Sequence, residues 1–422
     1  MKRTLYIFFT FLFLFTSPVF PQVITTALPF LLIGASPTTN GMGELSSVES
    51  NDPMLGIANP GHIGLQSLTT YASANLYENK TQWLPIFGLS DLYYQANAGM
   101  LGVHSGDFIP TAPNIGLGFA YSKVLMNLGE FIQTNETGQE VGSWQAYEYS
   151  ENHTYSIGVD YFVRLGLGYT SKRIISHLAP VGTDSAGKAT INDKFSAHDI
   201  GAVLTVPVLD IISQTMSTPL KFVSLFLPTF DITTSYSLNN IGGNVTYMDG
   251  SQSDPFPRTV NAGYSLRAGV VLEMRNQTFE IASVMLGREA QDYLVRWTSN
   301  GTWEYLPASL HDINIMDNLI KGKENSNVLL RKGWSWSLFD IATFRYGSNR
   351  EIGRAFNTRG YSLRFTTVFR LLDIFFSNQD AETPIGFIAK HLDAQYNYAE
   401  YEGLDGSPIN GTTFTSISIS LK

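Results

Sequence analysis

The stretch "YSIGVDYFVRLGLGY" (Tyr155–Tyr169) carries a large apolar residue at every second position: Tyr155, Ile157, Val159, Tyr161, Val163, Leu165, Leu167 and Tyr169. Ser156, Gly158, Asp160, Arg164, Gly166 and Gly168 stand between them. A β-strand sends alternate side chains to opposite faces, so this segment has one greasy, aromatic face and one small or polar face. Its 15 residues would run about 50 Å if fully extended, too long for one ordinary strand. The pattern predicts two strands meeting near Asp160–Arg164 through a tight turn.

The same alternation recurs in Ile115-Gly-Leu117-Gly-Phe119-Ala-Tyr121-Ser122, in Tyr361-Ser-Leu363-Arg-Phe365, and at the end in Ile417-Ser-Ile419-Ser-Leu421. Further strands are expected within 66–77, 90–101, 194–208, 221–238, 259–274, 277–298, 328–347 and 384–402, several long enough to hide a turn. The total is roughly eleven to fourteen strands of about ten residues, the length of a transmembrane β-strand. Polar loops are expected at 131–142, 179–193, 240–257 and 348–358. Ser309 is a candidate cap for a helix carrying Leu310, Ile313, Met316 and Ile320 on one face, with Asp312 in its first turn. Val208–Ile212 and Leu371–Phe375 read as short amphipathic helices between strands.

What the second strand face is made of decides between a soluble sandwich and a membrane barrel. A solvated face usually carries Lys, Glu, Asp and Arg. Here it is Gly, Ala, Ser or Thr, and charged residues make up 15% of the 422, against about 25% in ordinary soluble domains. Aromatics reach 13% and glycines number 37. That balance suits a sheet with lipid outside and a packed or narrow lumen inside. In lipid every backbone polar group needs an internal partner, so such a sheet must close. Tyr93-Tyr94, Tyr396-Tyr398-Tyr401 and Trp334-Trp336 are candidates for aromatic girdles at the interfaces. The fold class expected is all-β: a transmembrane antiparallel barrel of about 14 strands, with short helices in its loops, in contact with outer-membrane lipid.

At the N-terminus, Lys2 and Arg3 precede the apolar run Leu5–Phe15, and Pro18 and Pro21 end it. This is the form of a secretory signal peptide, placed at residues 1–21. The run is short for a spanning helix, and no later stretch reaches the roughly 20 apolar residues of one.

The chemistry the sequence excludes is equally informative. There is no cysteine, which removes thiol catalysis, thiolate metal sites and disulfides. The net charge of −9, from 27 basic and 36 acidic residues, without a basic block, argues against nucleic acid as a partner. The seven histidines are scattered without ligand spacing, and neither H-E-x-x-H nor G-x-S-x-G occurs. Asp160 with Arg164, and Glu148 with Glu151, read as strand-end or loop residues rather than catalytic pairs. N-x-T triplets such as Asn79, Asn135 and Asn152 mark glycosylation only in a eukaryotic secreted protein. Gly41-Met42-Gly43 lacks the following lysine or the third glycine of a phosphate loop. No enzyme activity, catalytic residue, metal or cofactor is expected.

One resemblance gives the front of the chain a meaning. Pro29-Phe30-Leu31, then Gly41-Met42-Gly43-Glu44, then Asn59-Pro60-Gly61 resembles the N-terminal signature of the FadL-like outer-membrane barrels. The PorV/PorQ branch, linked to type IX secretion in Gram-negative bacteria, is especially similar. "KGWSWSLFDIATFRYG" (Lys332–Gly347) and "TRGYSLRF" (Thr358–Phe365) resemble the late strand pairs of that branch. The chain departs from the pattern in having Glu44 where the family usually has Asp, Ala58 where an aromatic is common, and Leu421-Lys422 in place of a terminal aromatic.

The resemblance implies a barrel in the cell outer membrane whose N-terminal segment, residues 22–64, folds inside it as a plug, with the barrel at 65–422. Phe30, Gly41, Met42, Gly43, Asn59, Pro60 and Gly61 would belong to that plug. Glycines would allow close backbone packing against the wall, and Asn59 before Pro60 a stabilised turn. The function implied first is protein export or surface attachment, by binding secreted cargo proteins or other secretion-machinery components. The alternatives are a FadL-like channel for a hydrophobic small molecule, and a secreted soluble β-rich structural protein.

Overall fold

The computed structural model describes residues 26–422 except 49, 110–112, 179–193, 217–224, 247–252, 275–276, 299, 301, 352–353, 377–383 and 404–406. The segment 1–21, expected as a signal peptide, and the stretch 179–193, expected as a loop, lie outside the described residues. Among the described residues fourteen antiparallel strands form one closed sheet, with the two-residue strand Thr81–Gln82 paired at its rim. In chain order they are β1 (Ala72–Tyr77), β2 (Tyr93–His104), β3 (Asn114–Thr134), β4 (Glu140–Asp160), β5 (Arg164–His177), β6 (Lys194–Pro207) and β7 (Phe226–Gly242). They continue as β8 (Thr259–Met274), β9 (Gln277–Tyr293), β10 (Val328–Leu338), β11 (Ala342–Glu351), β12 (Arg354–Arg364), β13 (Leu392–Gly403) and β14 (Thr413–Leu421). Each pairs with its neighbour in sequence. The ring closes where β1 meets β14, from Ala72 opposite Leu421 to Tyr77 opposite Ser416.

The opening stretch folds as two strands, with Asp160 paired to Arg164 across the turn. Its greasy face points out of the barrel: Tyr155 is 56% exposed and Leu167 44%. Along β3, Ile115, Leu117, Phe119 and Tyr121 are exposed, whereas Ala120 and Ser122 face inward and are buried. Hydroxyls pair on the inner face, Thr154 with Thr170 at 2.8 Å and Thr205 with Thr233 at 3.0 Å. A closed sheet with an apolar outside and a hydroxyl-rich inside is the form that outer-membrane barrels take, and this one is an outer-membrane protein.

The outward apolar band makes a direct prediction. Leu117→Arg should cost about 1–4 kcal/mol, between the interfacial and the midplane values for a cation on a barrel's lipid face. Val141→Arg, equally exposed but near the tip of the β3–β4 hairpin, should stay within about 0.5 kcal/mol of wild type. Reversible unfolding from lipid vesicles checks both.

The structure corrects several expected boundaries. Residues 66–71 are not strand. Gln66 ends α3 (Gly61–Gln66) and 67–71 follow it; α3 lies with α1 (Pro37–Asn40) and α2 (Leu55–Ala58) in the segment before the barrel. Residues 384–391 form helix α6 (Pro384–His391), not the start of β13. Residues 348–358 belong largely to β11 and β12 rather than to a loop, and 131–142 mostly to β3 and β4. These two 21-residue strands run about 70 Å along their own length, against an apolar band about 25 Å tall. Beyond the band both faces meet water, and the strand composition turns polar like a loop's.

The two amphipathic stretches are helical, within α4 (Val208–Met216) and α5 (Thr366–Phe376). The helix expected from Ser309 begins later, at Ile315, capped by the Asn314 side chain. Its turn is wide, so Leu319 is buried while Met316 and Ile320 are exposed. Lys321, 2.9 Å from Asp317, holds that carboxyl below its ordinary value. The aromatic girdle is also revised: Trp334 and Trp336 face outward, but Tyr94 and Tyr401 are fully buried in the lumen.

Candidate functional site: the plugged lumen

The described residues between 27 and 70 are mostly buried against the inner faces of the strands, and the lumen wall is shaped to receive them. Wall glycines face plug backbone along two seams. On the first, a Cβ at Gly333 would meet Met42 O at 2.5 Å, one at Gly347 would meet Gly43 N at 2.2 Å, and one at Gly360 would meet Gly41 Cα at 3.1 Å. On the second, a Cβ at Gly158 would meet Gly64 O at 2.1 Å, one at Gly166 would meet Gly61 O at 2.1 Å, and one at Gly168 would meet Pro60 O at 2.3 Å. Any side chain at these wall positions would push the segment away. Gly43 also takes left-handed backbone, with φ of 72°, a conformation glycine adopts without steric cost.

Polar contacts lock what the glycines let approach. Asn59 Nδ2 donates to Ala202 O at 3.2 Å and Tyr236 O at 3.1 Å, two residues paired across β6 and β7. Its Oδ1 accepts from Gly61 N at 3.0 Å, closing the turn at Pro60. Wall side chains catch plug carbonyls: Ser156 Oγ to Pro60 O at 2.9 Å, Asn239 Nδ2 to Ala58 O at 3.1 Å, and Ser265 Oγ to Ser47 O at 2.8 Å. Thr358 Oγ1 accepts from Gly43 N at 2.9 Å.

The strongest anchor is ionic. Arg331 on β10 lies 3.0 Å from Glu289 on β9 and 3.4 Å from Glu44 of the plug. Glu289 also accepts from Ser46 N at 2.8 Å, and Glu44 from Asn349 at 2.8 Å and Tyr401 at 2.6 Å. All three charged residues are buried. Breaking a buried pair by removing one partner is strongly destabilising, because the other charge is left uncompensated. A second hub is Asp52, which accepts from Ser36 Oγ, Asn75 Nδ2 and, at 2.9 Å, Met54 N. Glu44 and Asp52 stand in the front stretch that carries the resemblance, but the sequence reading gives neither an anchoring role. The sequence signal for Glu289 and Arg331 is a charge set on the inward parity of a strand, in a chain with few charges.

The lumen changes character along its axis. Towards the rim formed by the tops of β13 and β14, the wall is apolar: Tyr94, Val124, Met126, Phe356 and Phe414 are buried in one cluster. Leu28, Phe30 and Ile33, on and around the short turn Pro29–Leu32, fill that basin, and Tyr94 and Tyr77 hydroxyls bond to Ile33 O and Ala35 O. Met42 packs separately, with Leu45, Val48 and Met285. Towards the other rim a cavity of about 390 Å³ lies below the plug and is lined by arginines, aspartates and hydroxyls.

The two pairs set aside as non-catalytic lie in different places. Asp160 and Arg164 lie at a turn on the cavity rim. Glu148 is buried and bonded to Ser176 at 2.7 Å, whereas Glu151 pairs with Arg173 at 3.3 Å. Three residues apart on one strand, they point to opposite faces. In space His311 does meet two carboxylates that its sequence spacing did not suggest, with Nδ1 2.9 Å from Asp292 and 3.5 Å from Asp312.

In outline the chain is similar to solved outer-membrane barrels. The toluene transporter TbuX of Ralstonia pickettii matches with a TM-score of 0.38 at 11% identity, over 92% of this chain and 98% of that one. The toluene transporter TodX of Pseudomonas putida matches with a TM-score of 0.38 at 10% identity, over 92% and 98%. A Pseudomonas aeruginosa FadL homologue matches with a TM-score of 0.35 at 11% identity, over 92% and 97%. At this depth the likeness carries no functional weight, and the assignment as a barrel rests on the strand pairing itself. No protein-family model and no curated protein matches the chain.

Proposed function

We propose that the protein is a non-enzymatic, FadL-like outer-membrane barrel that admits hydrophobic small molecules, with its N-terminal segment as the gate. The observation that carries this reading is the apolar basin holding Leu28, Phe30 and Ile33. Water-filled barrels have polar interiors. A basin walled by tyrosine, phenylalanine, methionine and valine instead suits an apolar solute, with a few polar groups to orient it. The plug's own apolar residues hold the place such a solute would take.

Uptake of a labelled aromatic hydrocarbon by cells with and without the gene tests the reading. The gene should raise uptake, and equal uptake would sink the channel. Phe30→Asp sets a charge among apolar neighbours, which a buried carboxylate without a partner disfavours by several kcal/mol. It should loosen the segment and raise uptake above wild type.

A second reading follows from the density of bonds around Glu44, Asp52 and Asn59: the plug is a permanent stopper, and the barrel serves as a docking platform of the PorV/PorQ type for secreted cargo or secretion machinery. Loss of the gene would then trap surface proteins in the periplasm and leave hydrocarbon uptake unchanged.

A further inference from the structure

The cavity below the plug holds one arginine that no carboxylate among the described residues pairs with. Four arginines line it: Arg164, Arg267, Arg345 and Arg364. Arg267 pairs with Glu280, and Arg364 with Asp340 and Asp393. Arg164 has Asp160 opposite it in the ladder. Arg345 differs from these. It is 8% exposed, its hydrogen-bond partner among the described residues is the Ser362 hydroxyl, and no carboxylate among them stands within ion-pair distance. The charges acting on it are Arg364, which repels it, and Asp52, which belongs to the plug and is already bonded to Ser36, Asn75 and Met54.

A buried guanidinium has five donors in a planar fork suited to a carboxylate or phosphate, and leaving it short of acceptors is costly. Around it the cavity presents hydroxyls and amides, among them Ser335, Ser337, Ser362 and Gln395. These groups bond the hydroxyls of a hydrophilic solute and give no hold to an apolar one. A volume of about 390 Å³ lies within the roughly 300–1,000 Å³ of small-molecule sites. Asp160, Arg164 and Asp340 carry the lining down to the turns at the rim, so the cavity reaches the barrel's end.

We propose that this cavity binds a small hydrophilic oxyanion, a carboxylate or a phosphate, with Arg345 as its counter-charge. The site is distinct from the apolar basin above the plug and does not depend on the plug opening.

Calorimetric titration of the full chain in detergent, with gluconate, inorganic phosphate and neutral glucose as separate probes, tests the proposal. Saturable binding of gluconate or phosphate, but not of glucose, is expected. Gluconate alone would mark the ligand as a carboxylate, and phosphate alone as a phosphate. Arg345→Gln should weaken that binding at least about tenfold, the scale of one lost charge-assisted bond, and Arg345→Lys should restore part of it. Should Arg345→Gln fail to fold, Ser337→Leu narrows the cavity without touching a charge and should also abolish binding. Absence of heat with both anions, or binding that survives Arg345→Gln or Ser337→Leu unchanged, overturns the proposal.

Discussion

Replacing Gly43 by valine is expected to unseat the plug and leave a barrel that conducts ions. Two effects act together. Gly43 sits at φ of 72°, and left-handed backbone costs a residue with a Cβ roughly 1–2 kcal/mol, more when it is β-branched. A Cβ there would also stand 2.7 Å from Ser348 O, 2.9 Å from Ser348 N and 3.0 Å from Lys332 O. These are backbone atoms of paired barrel strands and cannot step aside as a side chain would. Overpacking of this kind adds about 1–3 kcal/mol. The barrel's ladder is untouched, so the strain falls on the plug. Gly138→Val separates the two effects: it has φ of 77° and open space around it, so it should carry the backbone cost alone and leave the lumen shut. In planar lipid bilayers the Gly43 variant should show steady conductance that wild type and the Gly138 variant lack. Conductance equal in all three would mean that the glycine seam does not hold the segment in place.

The second large effect is expected at Arg331. Arg331→Met keeps much of the side chain's volume but removes the cation between Glu289 and Glu44, leaving two buried carboxylates to face each other. Losing one partner of such a pair costs about 3–5 kcal/mol. The loss should appear as a lower temperature for converting the folded barrel, seen on an unboiled gel, to the unfolded form. Glu289→Gln in the same chain removes one of the stranded charges. The double variant should therefore be more stable than Arg331→Met alone, with a coupling of about 1 kcal/mol or more. Additive effects would show that Arg331 works through packing and not through the ionic bridge.

How far the sequence discloses this molecule depends on what each residue answers to. Alternation with lipid is a local demand: Ile115, Leu117, Phe119 and Tyr121 face out because their own strand puts them there, so the barrel and the Asp160–Arg164 turn were legible. Parity explains the misread girdle. Tyr93 and Tyr94 are adjacent, so one of them must face in, and Tyr401 is an odd step from Tyr396 and Tyr398. Residues 348–358 and 131–142 look like loops because those strands stand beyond the apolar band. Residues 384–391 carry apolar side chains at spacings that helix and strand share, and 66–71 run directly into the alternation of β1. In the lumen, the wall partners of Gly41–Gly43 and Asn59–Gly61 were not legible. Gly333, Gly347 and Gly360 lie some three hundred residues away, and the Glu44–Arg331–Glu289 bridge joins three separate segments. No periodicity reports a contact of that kind.

The gating role of the plug is tested most directly by locking it. Ser46 and Ser235 bring their hydroxyl oxygens to 3.5 Å across the plug–wall boundary, so cysteines at both positions would set their sulfurs side by side for oxidation to a disulfide. The chain has no cysteine of its own, so Ser46→Cys with Ser235→Cys creates a single defined pair. Hydrocarbon uptake by cells carrying this variant should stop when the bond is formed and return when it is reduced. Undiminished uptake through a fully cross-linked barrel would contradict the account.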